Sequence, residues 1–193
     1  MAVVILASRN EHKLSELARI LGGRALDPLP AAVTLAPETG ETFAQNALAK
    51  ARTAAAATGE AAIADDSGIE ARALGRAPGV RSARFAGEHA TDEENLALLI
   101  ERVPAGSPLA YVCAIAYVDP GRGLERVFEG RCEGRMAERR RGSRGFGYDP
   151  VFVPDEGGGA TMAELEPAEK DAISHRGRAL RLLAQWLDGG GDG

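Results

Sequence analysis

Lysine is nearly absent from this chain: of 23 basic side chains only Lys13, Lys50 and Lys170 are lysines, and arginine supplies the rest. Cysteine is almost as scarce. Cys113 and Cys132 show no CxxC spacing and no neighbouring histidine, which excludes a zinc set or a disulfide framework and leaves two reduced thiols. An excess of positive charge is missing too. A net charge of -5 argues against a nucleic-acid surface, which needs concentrated Lys and Arg. The one dense basic run, Arg139-Arg140-Arg141 with Arg144, reads as a solvated loop or a few contacts to one ligand. Long apolar runs are absent, so no stretch is predicted to span a bilayer, and Met1 to Ala7 has neither a basic leader nor a small-residue cleavage site after it. A cytoplasmic protein without membrane or nucleic-acid partners is expected.

At 193 residues the chain can bury one sizeable core, and no linker-like stretch interrupts it before the glycine-rich end. A single α/β domain over residues 1–188, divisible into two lobes, is expected, followed by a flexible tail over 189–193. Val3 to Ala7 reads as a buried strand, and Ser8-Arg9-Asn10 as the turn after it. Asn10 would cap a helix carrying Leu14, Leu17, Ala18 and Leu21 at core spacing until Gly22-Gly23. Thr42 and Gln45 fit a capping box for a helix to about Thr58, and Thr91 and Glu94 fit another. Ala61 to Ala64 reads as a short buried strand ending in Asp65-Asp66-Ser67-Gly68. Leu109 to Val118 and Leu124 to Arg135 alternate as an antiparallel hairpin, which makes the sheet mixed. Gly145 to Pro150 is a tight loop before a strand at Val151 to Val153. Ser174 would cap a last helix that buries Ala179, Leu182, Leu183, Trp186 and Leu187.

The chemistry-bearing residues are acids, lysines and arginines, and no cysteine or serine has a nearby base to make it a nucleophile. The three lysines lie beside segments that suit phosphate: Lys13 in the first turn of a helix whose open N-terminus favours an anion, Lys50 just ahead of the acidic strand end, Lys170 before Ser174-His175-Arg176-Gly177. Phosphoanhydride hydrolysis needs a divalent cation on the phosphates, cations near the leaving group and a carboxylate for water. Mg2+ fits, being held by one or two carboxylates plus substrate phosphates. Glu38, Glu41, Asp65 and Asp66 are the candidate acids. In extended backbone Asp65 and Asp66 point to opposite sides.

The ordered segments Ser8-Arg9-Asn10-x-x-Lys13, Glu38-Thr39-Gly40-x-Thr42-Phe43-x-x-Asn46-Ala47, Ile63-Ala64-Asp65-Asp66-Ser67-Gly68, Ala77-Pro78-Gly79, Gly145-Phe146-Gly147-Tyr148-Asp149-Pro150 and Ser174-His175-Arg176-Gly177 resemble the inosine/xanthosine triphosphate pyrophosphatase family. The resemblance runs from Val3 to Leu187. It implies a homodimer with a long bent mixed sheet, two lobes and a central cleft, which hydrolyses ITP, dITP and XTP to the monophosphate and pyrophosphate and so cleanses the nucleotide pool. By motif, Ser8, Arg9, Asn10, Glu11, His12 and Lys13 would hold the triphosphate. Asp66 would be general base and magnesium ligand, with Glu38 as second ligand unless nearby Glu41 substitutes, and Ser67 would contact substrate. Phe146, Gly147, Tyr148, Asp149, Lys170, His175 and Arg176 would bind the nucleotide, chiefly around the base. Donors at His175 or Arg176 would favour a 6-oxo purine over adenine, and Phe146 could stack on the ring.

Two positions depart from the family pattern: Arg9 where glycine is usual, and Gln45 where glutamate is common. Arg9 either points away from the phosphates or adds charge to them; Gln45 removes an acid near the site. Two rival readings are a Maf-type pyrophosphatase acting on dTTP or UTP, and a module that binds triphosphates without hydrolysing them.

Overall fold

A computed structural model describes residues 3–191. In chain order the elements are β1 (Val4–Leu6), α1 (Glu11–Ile20), β2 (Leu26–Pro28), α2 (Phe43–Thr58), β3 (Ala61–Ala71), α3 (Asp92–Arg102), β4 (Pro108–Asp119), β5 (Leu124–Met136), β6 (Phe152–Pro154), α4 (Pro167–Ile173) and α5 (His175–Asp188), with short 3-10 turns between some of them. The strands form one sheet in the order β2-β1-β3-β4-β5-β6. β1 runs parallel to both β2 and β3, and β5 runs antiparallel to β6, so the α/β fold with a mixed sheet is as expected. β4 and β5 are neighbours joined by residues 120–123, too short for a parallel crossover.

The helix starts follow from their caps. Asn10 accepts from the Lys13 backbone N–H, while Thr42 and Thr91 form capping boxes with Gln45 and Glu94. Gly59 closes α2 at a φ of 75°, a left-handed conformation that favours glycine.

Two compact units emerge, each from discontinuous segments: residues 1–66, 113–130 and 176–193, and residues 67–112 with 131–175. The first unit has its own core of Leu6, Leu17, Leu21, Ile63, Cys113, Ile115, Leu180 and Leu183 among others. The second packs Ile69, Leu96, Leu99, Leu109, Tyr111, Met136, Phe152 and Met162.

Several elements differ from expectation. β3 continues to Ala71, so Asp65 and Asp66 are interior strand residues and not its end. The ladder with β1 stops at Leu6 opposite Ile63, however, so both aspartates lie just past the carboxyl end of β1. β2 and α4 had no counterpart in the sequence reading, and β6 is Phe152–Pro154, one residue later than Val151 to Val153. Within residues 189–191, Gly191 packs on the Trp186 ring and its carbonyl accepts from Arg122 at 2.7 Å. Met1, Ala2, Asp192 and Gly193 lie outside the described residues. No helix among the described residues is long and apolar enough to cross a membrane. The basic run forms ion pairs: Arg140 with Glu93 at 2.5 Å and Arg144 with Glu166, while Arg141 donates to the Gly159 carbonyl.

Candidate active site

In the first unit the charged residues converge on β3. Strand alternation sends neighbouring side chains to opposite faces, and each aspartate meets a different set of partners. Asp65 is 1% exposed and lies 2.9 Å from the Lys13 ammonium and 3.1 Å from the Arg176 guanidinium. Arg176, equally buried, also donates to Glu16 from α1. Burial alone would raise Asp65, but the charges of Lys13, Arg176 and Lys50 hold it well below the usual carboxylate range. Burial would lower the Arg176 guanidinium, but Asp65 and Glu16 push it up.

Asp66 faces α2. Its Oδ2 accepts from the Asn46 carboxamide at 2.8 Å, and its Oδ1 lies 4.0 Å from the Lys50 ammonium. Burial pushes its carboxyl up to about 6, with Lys50 and the Asn46 hydrogen bond pulling the other way and Glu38 adding to the rise. Such a carboxylate is ionised at neutral pH yet basic enough to take a proton from water. Lys50 reaches Glu38 at 2.5 Å, and the Asp65, Glu38 and Asp66 charges together raise it despite burial.

Two hard-oxygen carboxylates, Glu38 and Asp66, therefore converge on one ammonium. That donor set suits a magnesium ion shared with substrate phosphates rather than caged by protein. No group of three or more candidate ligand side chains occurs among the described residues. Glu41 is exposed and its backbone N–H donates to Gln45 Oε1, so Glu38 is the acid placed with Asp66. Gln45 serves the α2 cap, a task that a glutamine performs as a glutamate would.

The turn after β1 is braced locally. The Asn10 N–H donates to Ser8 Oγ, and Glu11 and His12 are exposed on the first turn of α1. Arg9 turns away from that turn. Its guanidinium donates to the carbonyls of Leu29, Pro30 and Val33 at 2.7 to 3.1 Å, and to Ala31 at 3.4 Å. The extra charge is thus engaged by backbone.

The second unit holds the other candidates. Asp149 is buried and accepts from Lys170 Nζ at 2.7 Å, from Tyr111 Oη at 3.1 Å and from the Phe146 backbone N–H at 3.0 Å. Gly145 has φ 73°, and a Cβ there would collide with the Asp149 carboxylate. Lys170 also stands over the Phe146 ring, 5.1 Å from its centroid. The His175 ring is buried and stacks on Tyr111 at 4.6 Å and 11°. The Gly147 N–H donates to Asp92, and Tyr148 Oη donates to the Ser82 carbonyl at 2.7 Å; burial raises that phenol. Ser67 is half-buried on β3.

Sequence reasoning assigned no role to Glu16, Asn46 or Tyr111. For Asn46 a trace was visible: it stands four residues before Lys50, on the same face of α2. Glu16 gave none, because a buried acid on an amphipathic helix is recognisable only by its distant partner.

Together these features describe an α/β protein with a buried centre of carboxylates and lysines beyond the end of a parallel strand. The sequence profile of the Ham1 family matches residues 4–186. A dITP/XTP pyrophosphatase of Mycolicibacterium paratuberculosis is 50% identical, the match covering 97% of each chain. The solved HAM1 protein from Coxiella burnetii superposes with a TM-score of 0.86 at 41% identity, over 98% of this chain and 100% of that one. The nucleoside-triphosphatase / dITP/XTP pyrophosphatase from Mycobacterium abscessus gives 0.71 at 47% identity, over 94% and 97%. The chain belongs to the Ham1 family.

Proposed function

We propose that this chain hydrolyses deaminated purine nucleoside triphosphates, ITP, dITP and XTP, to the monophosphate and pyrophosphate. The observation that carries the reading is Asp66, a buried carboxylate pushed up to about 6 beside Lys50 and Glu38, in a chain half identical to a dITP/XTP pyrophosphatase.

Asp66 would take a proton from the water that attacks the α-phosphorus. Lys13 and Lys50 would neutralise phosphate charge, with backbone N–H groups of the Ser8 to Lys13 turn, Arg9's included, and the Ser8, Asn10, Glu11 and His12 side chains shaping the cradle. Mg2+, held by Asp66 and Glu38, would supply Lewis-acid stabilisation of the phosphate oxygens. In the second unit Phe146, Gly147, Tyr148, Asp149 and Lys170 would contact the nucleotide near the base, as would Ser67. His175 and Arg176 are the proposed donors to a 6-oxo group; for Arg176 that means exchanging its bond to Glu16 for one to the base.

The homodimer and the cytoplasmic location belong to the same proposal, supported by the resemblance. Pyrophosphate release with Mg2+ from ITP, dITP, XTP, ATP, GTP, dTTP and UTP tests the activity. Turnover confined to the first three is expected; turnover mainly of dTTP or UTP, or of none, overturns it.

A further inference from the structure

We propose that Asn46 is a positioning residue for this reaction: it fixes the plane of the Asp66 carboxylate, and so the direction of the oxygen that receives the proton, and ties the loop carrying Glu38 to that carboxylate. The inference rests on the reading of Asp66 as the base.

Asparagine is a poor helix former and costly to bury without partners, yet Asn46 is 1% exposed in the first turns of α2. Both ends of its carboxamide are used. Oδ1 accepts from the Gly40 backbone N–H at 2.7 Å, and Nδ2 donates to Asp66 Oδ2 at 2.8 Å. The amide can point only one way, because a backbone N–H only donates and an ionised carboxylate only accepts. Neither near-isostere serves: aspartate would set a second carboxylate against Asp66, and leucine would take this partner from both the Asp66 carboxylate and the Gly40 N–H.

Two consequences follow for the reacting centre. With one oxygen engaged by Asn46, turning the Asp66 carboxylate out of its plane would break a buried hydrogen bond. Oδ1, the oxygen toward Lys50, is thereby held as the proton acceptor. A base contributes fully only when its lone pair is aimed at the proton it takes. The second consequence concerns the loop. Lys50 attaches Glu38 to α2 by charge, and Asn46 attaches Gly40 to the same helix by backbone. The approach is close enough that a Cβ on Gly40 would sit 2.7 Å from Asn46 Oδ1 and 2.8 Å from the Gln45 Cβ, so only glycine fits. One face of one helix thus sets the Glu38 loop and Asp66 in register.

The test combines steady-state kinetics on ITP with thermal melting for Asn46→Ala, Asn46→Asp, Asp66→Asn and the double variant Asn46→Ala/Asp66→Asn. A positioning role lowers kcat about 30- to 300-fold in both Asn46 variants while KM stays within about threefold. In the Asp66→Asn background, adding Asn46→Ala then changes the residual rate by less than about twofold, because the group it aims is gone. The proposal is overturned if kcat stays within about threefold of the parent, if the loss multiplies undiminished in the double variant, or if both Asn46 variants lose turnover only by failing to fold. Near-parental turnover by Asp66→Asn alone would instead refute the base assignment, whatever Asn46 does.

Discussion

Asp65 and Asp66 are consecutive on β3, yet Asp65 is held well below the usual carboxylate range while Asp66 is pushed up to about 6. Strand alternation is the cause. One side chain meets Lys13 and Arg176, and the other meets a neutral amide, a partly shared ammonium and another acid. Two residues of identical chemistry are thereby given different environments, which suit a structural task for Asp65 and the proposed catalytic one for Asp66.

For Asp66 the direction of the shift sets a pH dependence. The water-activating form is the carboxylate, so kcat/KM on ITP should rise with pH and level off above an inflection near 6. Asp66→Asn should cost at least about 1,000-fold in kcat and leave ITP binding within a few-fold, read by titration with the inactive variant. A flat profile between pH 5 and 8 would contradict the assignment.

The same shift predicts a stability gain from the inactivating change. With its folded pKa above the unfolded value, Asp66 binds a proton in the fold that the unfolded chain has lost between about pH 4 and 6, so its contribution falls as pH rises through that window. Asp66→Asn should therefore be more stable than the parent at pH 8, by up to about 3 kcal/mol, and no more stable near pH 3.5. Urea unfolding at the two pH values measures the difference.

Asp65 runs the other way. Its depressed folded pKa contributes stability above the unfolded carboxylate range, lost only as pH falls through the folded value. Asp65→Asn leaves the buried Arg176 and the Lys13 ammonium short of a counter-charge and should destabilise the fold by about 3 to 5 kcal/mol at pH 7. Melting temperature against pH checks it; the deficit should persist down to about pH 4.

That contrast explains what could be read from the chain and what could not. The caps at Asn10, Thr42 and Thr91 are local, each completed within three residues, and all three helices begin where their residues say. The continuation of β3 through Asp65 and Asp66 is not local. Two adjacent acids look like a strand end because burying charge is costly, and only Lys13, Arg176, Asn46 and Lys50, brought from three helices, make an interior position tolerable. α4 is not legible from its spacing although Pro167 stands at its first position and Glu169 reaches back to the Glu166 N–H, a start signal attached to a helix too short for periodicity. β2 is three residues with no pattern at all. The site segments were readable as ordered motifs, but the direction of Arg9 was not, since its partners are carbonyls, which every sequence has.

In the second unit, Lys170→Met should be costly for a comparable reason. It removes the 2.7 Å bond to Asp149 and leaves that carboxylate, only 3% exposed, with two neutral donors. About 3 to 5 kcal/mol should be lost, and pairing the change with Asp149→Asn should recover part of it. Additive losses in chemical denaturation of the double variant would show that the pair is not coupled.

Arg9 supplies a last prediction, particular to this chain. Its guanidinium gathers four carbonyls of the segment Leu29 to Val33, which leads into the loop bearing Glu38. Charge-assisted hydrogen bonds at an exposed site contribute modestly, so Arg9→Gly, which restores the residue usual in the resembling family, should cost about 1 to 2 kcal/mol. Because the side chain faces carbonyls and not the phosphate turn, KM for ITP should change less than about threefold, whereas amide exchange at Ala31 to Val33 should quicken markedly. A tenfold or larger rise in KM with unchanged exchange would mean that the guanidinium acts on the triphosphate after all, and that its carbonyl contacts give way when nucleotide binds.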